Sequence, residues 1–134
     1  MTLLDEIAVF LVAQGVGVLG STLFKGLMPD SPHACVAIYE YGGRPAITGF
    51  SKPGIQHEYP GLQVVSRGVA FDYAGPRAKI ELAYRALSTV QAQTLSGAKY
   101  LMLRAQQSPF VLERDGSNRV KFAVNFIAEK ELSP

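Results

Sequence analysis

The sequence predicts an α+β domain: a mostly antiparallel sheet with two helices packed on one face and a long arm or loop over about 42–61. Three observations predict it. Two stretches, one near the N-terminus and one in the middle of the chain, repeat apolar residues at helical spacing. The C-terminal third alternates with period two. Between these, the twenty residues GGRPAITGFSKPGIQHEYPG carry five Gly and three Pro and follow neither period. At 134 residues the chain suits one domain, residues 1–134, with a single core.

Thr2, with Asp5 three residues on, resembles a capping box and opens the first helix. Leu3, Leu4, Ile7, Ala8 and Leu11 then fall on one helical face, with Phe10 at its border. Val9 and Ala13 share the opposite side with Asp5 and Glu6, so this helix is more apolar than one core face requires. Gln14-Gly15 stops it, because glycine accepts the left-handed conformation common just past a helix end. Thr22 to Met28 reads as a short strand and Pro29-Asp30-Ser31-Pro32 as a turn. Cys35 to Tyr41 alternates, with Cys35, Ala37, Tyr39 and Tyr41 on one side and Val36, Ile38 and Glu40 on the other.

The glycine- and proline-rich segment follows. Connections are ordinarily about 4–6 residues, and those beyond about 12–15 are usually functional or disordered. Ile47, Phe50, Ile55 and Tyr59 are anchors that a disordered linker does not need, so the segment reads as an arm that docks on something. Leu62 to Val69 is rich in β-formers. A second helix starts at Asp72 or Gly75, with Pro76 tolerated in its first turn, and fades around Gln91. Ile80, Ala83, Tyr84, Leu87 and Val90 make its buried stripe. Leu82 points away from it, near Ala78 and Arg85, and is a candidate contact with another subunit. Tyr100 to Gln107 is a strand that bends at Ser108-Pro109, and Asp115-Gly116-Ser117-Asn118 is a hairpin turn. In the last strand Val120, Phe122, Val124, Phe126 and Ala128 form one face. A long hairpin over 100–128 leaves edges that a monomer must blunt and a ring can cover.

Composition narrows the function. With 48% hydrophobic and 18% charged residues, disorder is excluded and a surface partly hidden by a partner is expected. A net charge of +2 is too weak for the footprint of a tight nucleic-acid binder. The single cysteine, Cys35, excludes an intrachain disulfide and a thiolate metal cluster. It is expected to behave as a small buried apolar residue. Ile7 to Phe24 lacks charge, but Gln14, three glycines, Ser21 and Thr22 dilute it, and Asp5 and Glu6 precede it where a signal peptide is basic. Neither a membrane span nor a targeting signal is expected.

The motifs that carry chemistry elsewhere do not carry it here. Gly15-Val16-Gly17-Val18-Leu19-Gly20 matches the dinucleotide fingerprint G-x-G-x-x-G, which needs a strand before it and a helix after it. The reading here is the reverse, a helix and then a strand, so the match is a helix stop plus a turn. His33 and His57 read as surface turn residues without the spacing of a metal site. No serine sits in a G-x-S-x-G setting. No catalytic constellation, cofactor or metal is expected, and the chain does not read as an enzyme. Tyr39, Tyr41 and Arg44, followed by Phe50, Lys52 and Tyr59, interleave aromatic and basic groups. Two readings stand: a single-strand nucleic-acid platform or a protein interface. The low net charge and the apolar anchors favour the interface.

Several stretches, in order, then resemble a known family. Tyr41-Gly42-Gly43-Arg44-Pro45, Tyr59-Pro60-Gly61-Leu62-Gln63-Val64, Asp72-Tyr73-Ala74, Gln107-Ser108-Pro109-Phe110 and Val124-Asn125-Phe126 resemble the "minor capsid" proteins of tailed bacteriophages, which look like tail terminators. The resemblance runs from Leu3 to Lys130 and departs from the pattern at Gly75-Pro76, where acidic or alanine-rich helix starts are usual. It implies a non-enzymatic virion protein at the head–tail interface, assembled in the host cytoplasm. Copies would form a hexameric ring that caps the tail tube and meets the head connector, with DNA passing transiently through its lumen. The implied partners are other copies of itself, the major tail tube protein and the connector or stopper. Within that frame Phe50, Ile55 and Tyr59, with Tyr41, are expected to dock the arm on a neighbour. Arg44, Lys52 and Arg67 are expected at the polar rim or lumen, and Leu82 at a subunit contact. A head-side adaptor or stopper is the nearest alternative, and a nucleic-acid-binding α+β domain is a more distant one.

Overall fold

The computed structural model describes residues 2–48 and 55–131. Helix α1 (Leu3–Ala13) begins on the expected capping box, in which Thr2 Oγ1 accepts from the Asp5 amide at 3.3 Å and the Thr2 amide donates to Asp5 Oδ2 at 3.0 Å. Such a cap contributes about 1 kcal/mol. The helix ends where Gly15 takes φ +78°. The order then runs β1 (Leu23–Lys25), β2 (Cys35–Thr48), β3 (Ile55–Arg67), α2 (Ala74–Ser88), β4 (Gln91–Leu95), β5 (Ala98–Ala105), β6 (Phe110–Arg114) and β7 (Val120–Glu131). These seven strands form one sheet in the order β1-β2-β3-β7-β5-β4, with β6 also paired to β7. Among the described strand pairs β1–β2 alone is parallel, so the fold is the α+β class the sequence predicts.

Period two decides what the sheet buries. Val36, Ile38, Leu62, Val64, Val124 and Phe126 share one face, and both helices pack on it through Ile7, Leu11, Ile80 and Leu87. Each of these ten side chains is at most 1% exposed. Burying one contributes about 1.5–3 kcal/mol, so Phe126→Ala alone costs about 3–5 kcal/mol through transfer and cavity terms.

Several expectations are corrected. Residues 42–48 and 55–61 are not an irregular loop but the outer halves of β2 and β3, paired antiparallel as Arg44–Tyr59, Ile47–His57 and Thr48–Ile55. The strand period is hidden by register shifts between Tyr41 and Arg44, between Arg44 and Ile47, and between Ile47 and Thr48. Each shift offsets the alternation. Pro60 falls in the gap between the β3–β7 pairs Glu58–Lys130 and Gly61–Ile127, where no ladder amide is required. His57 therefore lies in a strand rather than a turn.

Helix α2 stops at Ser88, short of Gln91, because residues 91–95 form β4, an edge strand that the sequence reading missed. Its polar QAQTL shows no clean alternation. The first strand shortens to Leu23–Lys25. Glu6 is not on the solvent side of α1. It is 4% exposed, and its Oε1 accepts from Lys130 Nζ at 2.7 Å and Tyr100 OH at 2.6 Å. A charge survives there because both its partners are buried beside it.

Candidate assembly interface

β1 pairs with β2 only from Val36 to Ile38, so β2 continues past Tyr39 without an outer neighbour. The last β7 partner of β3 is Glu131, opposite His57. Among the described residues β7 flanks β3 out to His57, so the backbone without a strand partner is the outer edge of β2 beyond Ile38 and residues 55–56 of β3.

The sheet face away from the helices holds the arm's root. The Tyr41 ring lies over Gly61, where a Cβ would come 2.6 Å from Tyr41 Cε2, so only glycine fits. The Tyr41 hydroxyl donates to Phe126 O at 3.0 Å, reaching across β3 to β7. The Tyr59 hydroxyl donates to Glu129 Oε1 at 3.0 Å, and the Arg44 guanidinium sits 4.7 Å above the Tyr59 ring. An exposed cation–π contact of this kind contributes about 0.5–1 kcal/mol. Burial raises the Tyr41 hydroxyl pKa; burial and then the bond to Glu129 raise that of Tyr59. Gly43 admits no side chain either, since a Cβ would lie 1.7 Å from the Tyr59 carbonyl oxygen.

Three of the expected interface residues, Tyr41, Arg44 and Tyr59, are thus brought together. Phe50 and Lys52 lie outside the described residues, as does the side chain of Ile55, whose backbone starts β3. Leu82 is 41% exposed on α2, away from its buried stripe.

Arg67 requires a correction. It is 4% exposed, and its guanidinium donates to the carbonyls of Pro29 at 2.6 Å, Pro32 at 2.8 Å, His33 at 2.8 Å and Asp30 at 3.3 Å. It holds the turn before β2 instead of facing a rim or lumen. Arg119 braces the same turn, reaching the Asp30 carboxylate at 2.8 Å, Asp115 at 2.8 Å and His33 Nδ1 at 3.0 Å. His33 is exposed in its turn. His57 is half-buried, and its Nδ1 has no partner among the described residues.

Two features escaped the sequence reading. Val69, Phe71 and Tyr73 are exposed in the β3–α2 connection, and Phe71, 78% exposed, takes φ +63°. That conformation is costly for an aromatic residue and persists only where its surroundings impose it. The second feature is a cavity of about 350 Å³ between the end of α1, the start of β2 and the start of α2. Its lining includes Gly17, Ala34, Cys35, Gly68, Pro76 and Lys79. Burial raises the pKa of the Cys35 thiol, which disfavours the thiolate.

Gly15 to Gly20 occupy the turn between α1 and β1, the reverse of a dinucleotide site. Among the described residues no three His, Cys, Asp or Glu side chains are grouped to hold a metal ion. No helix there is long and apolar enough to cross a membrane. Residues 10–132 match the model of a protein family described as bacteriophage tail terminator protein. No curated protein matches the chain.

Proposed function

Because the chain belongs to the bacteriophage tail terminator family, and so is a structural protein of the virion tail, we propose that it forms a hexameric ring that caps the finished tail tube and joins it to the head connector. The ring assembles in the host cytoplasm and sits at the head–tail interface, and DNA crosses its lumen during ejection. One observation carries this reading: among the described residues β2 has no outer strand partner beyond Ile38. An unpaired edge of that length is a template for another chain and is normally covered.

In the ring the arm lies on the neighbouring copy. Tyr41, Arg44, Ile55 and Tyr59 belong to its strands, Phe50 and Lys52 to its tip, and Leu82 adds a contact from α2. Arg67 is no rim or lumen residue, since it is 4% exposed and its Nε and Nη2 donate to carbonyls of its own chain. The contact is heterologous, and a rotation that closes makes it a ring rather than a filament. Exposed Val9, Val12, Val18, Leu19 and Leu27 support burial of further surface by a partner.

Light scattering and electron microscopy of the purified protein, alone and with purified tail tubes, test the reading. A hexameric ring at one tube end is expected. A protein that stays monomeric beside tubes sinks it. Retention on isolated heads instead of isolated tails assigns the protein to the head-side stopper.

A further inference from the structure

We propose that the cavity beside Cys35 is the receptor for the arm tip, residues 49–54, of the neighbouring copy, with Phe50 filling it. The inference rests on the ring reading above and names where the arm goes.

Cavity and tip lie at opposite ends of the same strand. Cys35, in the cavity wall, opens the 14-residue strand β2, and Thr48 closes it. At about 3.3 Å per residue, that places the tip roughly 40 Å from its own chain's cavity. The Thr48–Ile55 pair pins both ends of the tip together. Six residues, here Gly49-Phe50-Ser51-Lys52-Pro53-Gly54, span about 20 Å at most. No tip reaches the cavity of its own chain, so a tip seated there belongs to another copy, head to tail.

The chemistry of the two parts matches. At about 350 Å³ the cavity is more than twice the size of one that binds benzene, which is about 150 Å³. Val16, Ala34, Cys35, Val36 and Pro76 give it apolar walls, suited to a phenyl ring and the proline of the tip. Asp72 stands in the lining and spends Oδ1 on the Gly75 amide at 3.1 Å. Its Oδ2 makes no hydrogen bond among the described residues and is available to Lys52. Arg67 and Lys79 also line the cavity and oppose Lys52, so the match is carried by the apolar walls rather than by charge. The walls are closed by tight backbone packing: a Cβ on Gly68 would lie 2.7 Å from the Pro76 ring, so the cavity is held open by its frame.

Two single-cysteine proteins test this, both carrying Cys35→Ala: one with Ser51→Cys in the tip, the other with Lys79→Cys at the cavity. Each is assembled alone, and the two are assembled together, on tail tubes and then oxidised. A disulfide needs Cα atoms about 4.4–6.8 Å apart. The mixed rings are expected to give a band of twice the chain mass that mixtures of Ser51→Cys with Thr94→Cys, on β4 at the other end of the sheet, do not give. Phe50→Ala and Ala34→Phe, which fills the cavity from an exposed position, are each expected to reduce that band at least fivefold. Rings that form normally without the Ser51–Lys79 band, and that tolerate Ala34→Phe, overturn the docking site and leave the ring reading intact. Absence of any ring with the unmodified protein defeats both.

Discussion

Replacing Lys130 by methionine keeps the aliphatic stem and removes one charge from the core. Glu6 then stays 4% exposed with the Tyr100 hydroxyl at 2.6 Å as its remaining donor, having lost Lys130 Nζ at 2.7 Å. Breaking a buried pair by deleting one partner costs about 3–5 kcal/mol, most of it the penalty of the uncompensated charge. A domain of this size has about 5–15 kcal/mol in total. With a urea m-value of about 2 kcal/mol/M, the unfolding midpoint falls by about 1.5–2.5 M. Adding Glu6→Gln to Lys130→Met removes the orphaned charge and is expected to restore more than half of the loss. Urea unfolding of the four proteins in this cycle, followed by circular dichroism, measures the coupling. A single-variant loss below about 1 kcal/mol, or a double variant that merely adds the two losses, refutes the claim of a dry, mutually dependent pair under the arm root.

Acid and alkali act on different groups. Hydrogen bonds from Lys25 and Thr2 hold Asp5 below the usual carboxylate range. Arg77 and Arg85 do the same for Glu81, and the Arg119 amide foremost for Asp115. Groups with lowered folded pKa values contribute above their unfolded values and lose that contribution as they protonate, so the urea midpoint should drop between pH 5 and pH 2. Burial, and then the bond to Glu6, raises the Tyr100 pKa above its ordinary 10. Its contribution is present below that value, and the midpoint should fall again above about pH 10, more steeply in wild type than in Tyr100→Phe, which keeps the raised hydroxyls of Tyr39, Tyr41 and Tyr59. Gly43→Ala places a Cβ against the Tyr59 carbonyl at 1.7 Å, so the arm root must shift. The expected cost is about 1–3 kcal/mol, with faster amide exchange in 39–48 and 55–61 and with ring assembly impaired. Arg67→Ala strips the donor from the Pro29, Pro32 and His33 carbonyls, while Asp30 O keeps Arg119 Nη1, and should cost more than about 2 kcal/mol in urea unfolding, with Arg67→Lys recovering little.

What the sequence made legible is what local chemistry decides. The capping box at Thr2, the stop at Gly15 and the inward face Val120-Phe122-Val124-Phe126 need only neighbours a few residues away, and each appears as expected. The arm was visible as a run of glycine and proline with apolar anchors. Its strand pairing was not, because three register shifts and Pro60 erase the alternation that marks a strand. Strand β4 was missed because QAQTL is an edge strand with no apolar face to pattern. Glu6 was misplaced because helical spacing alone does not reveal that Lys130, 124 residues away, arrives beside it. Arg67 looked like a surface cation because its acceptors are backbone carbonyls, which carry no sequence signature. The cavity was invisible for a similar reason, since its lining runs from Gly15 to Lys79 and exists only once the sheet closes.

The central claim is that the arm closes the ring on the tail tube. Its most direct measurement compares the intact chain with one whose residues 49–54 are replaced by an Asn-Gly turn, each imaged by electron microscopy on purified tail tubes. The account predicts a hexameric collar at one tube end for the intact chain and bare tube ends for the shortened one. Identical collars from both proteins, or bare ends from both, contradict it.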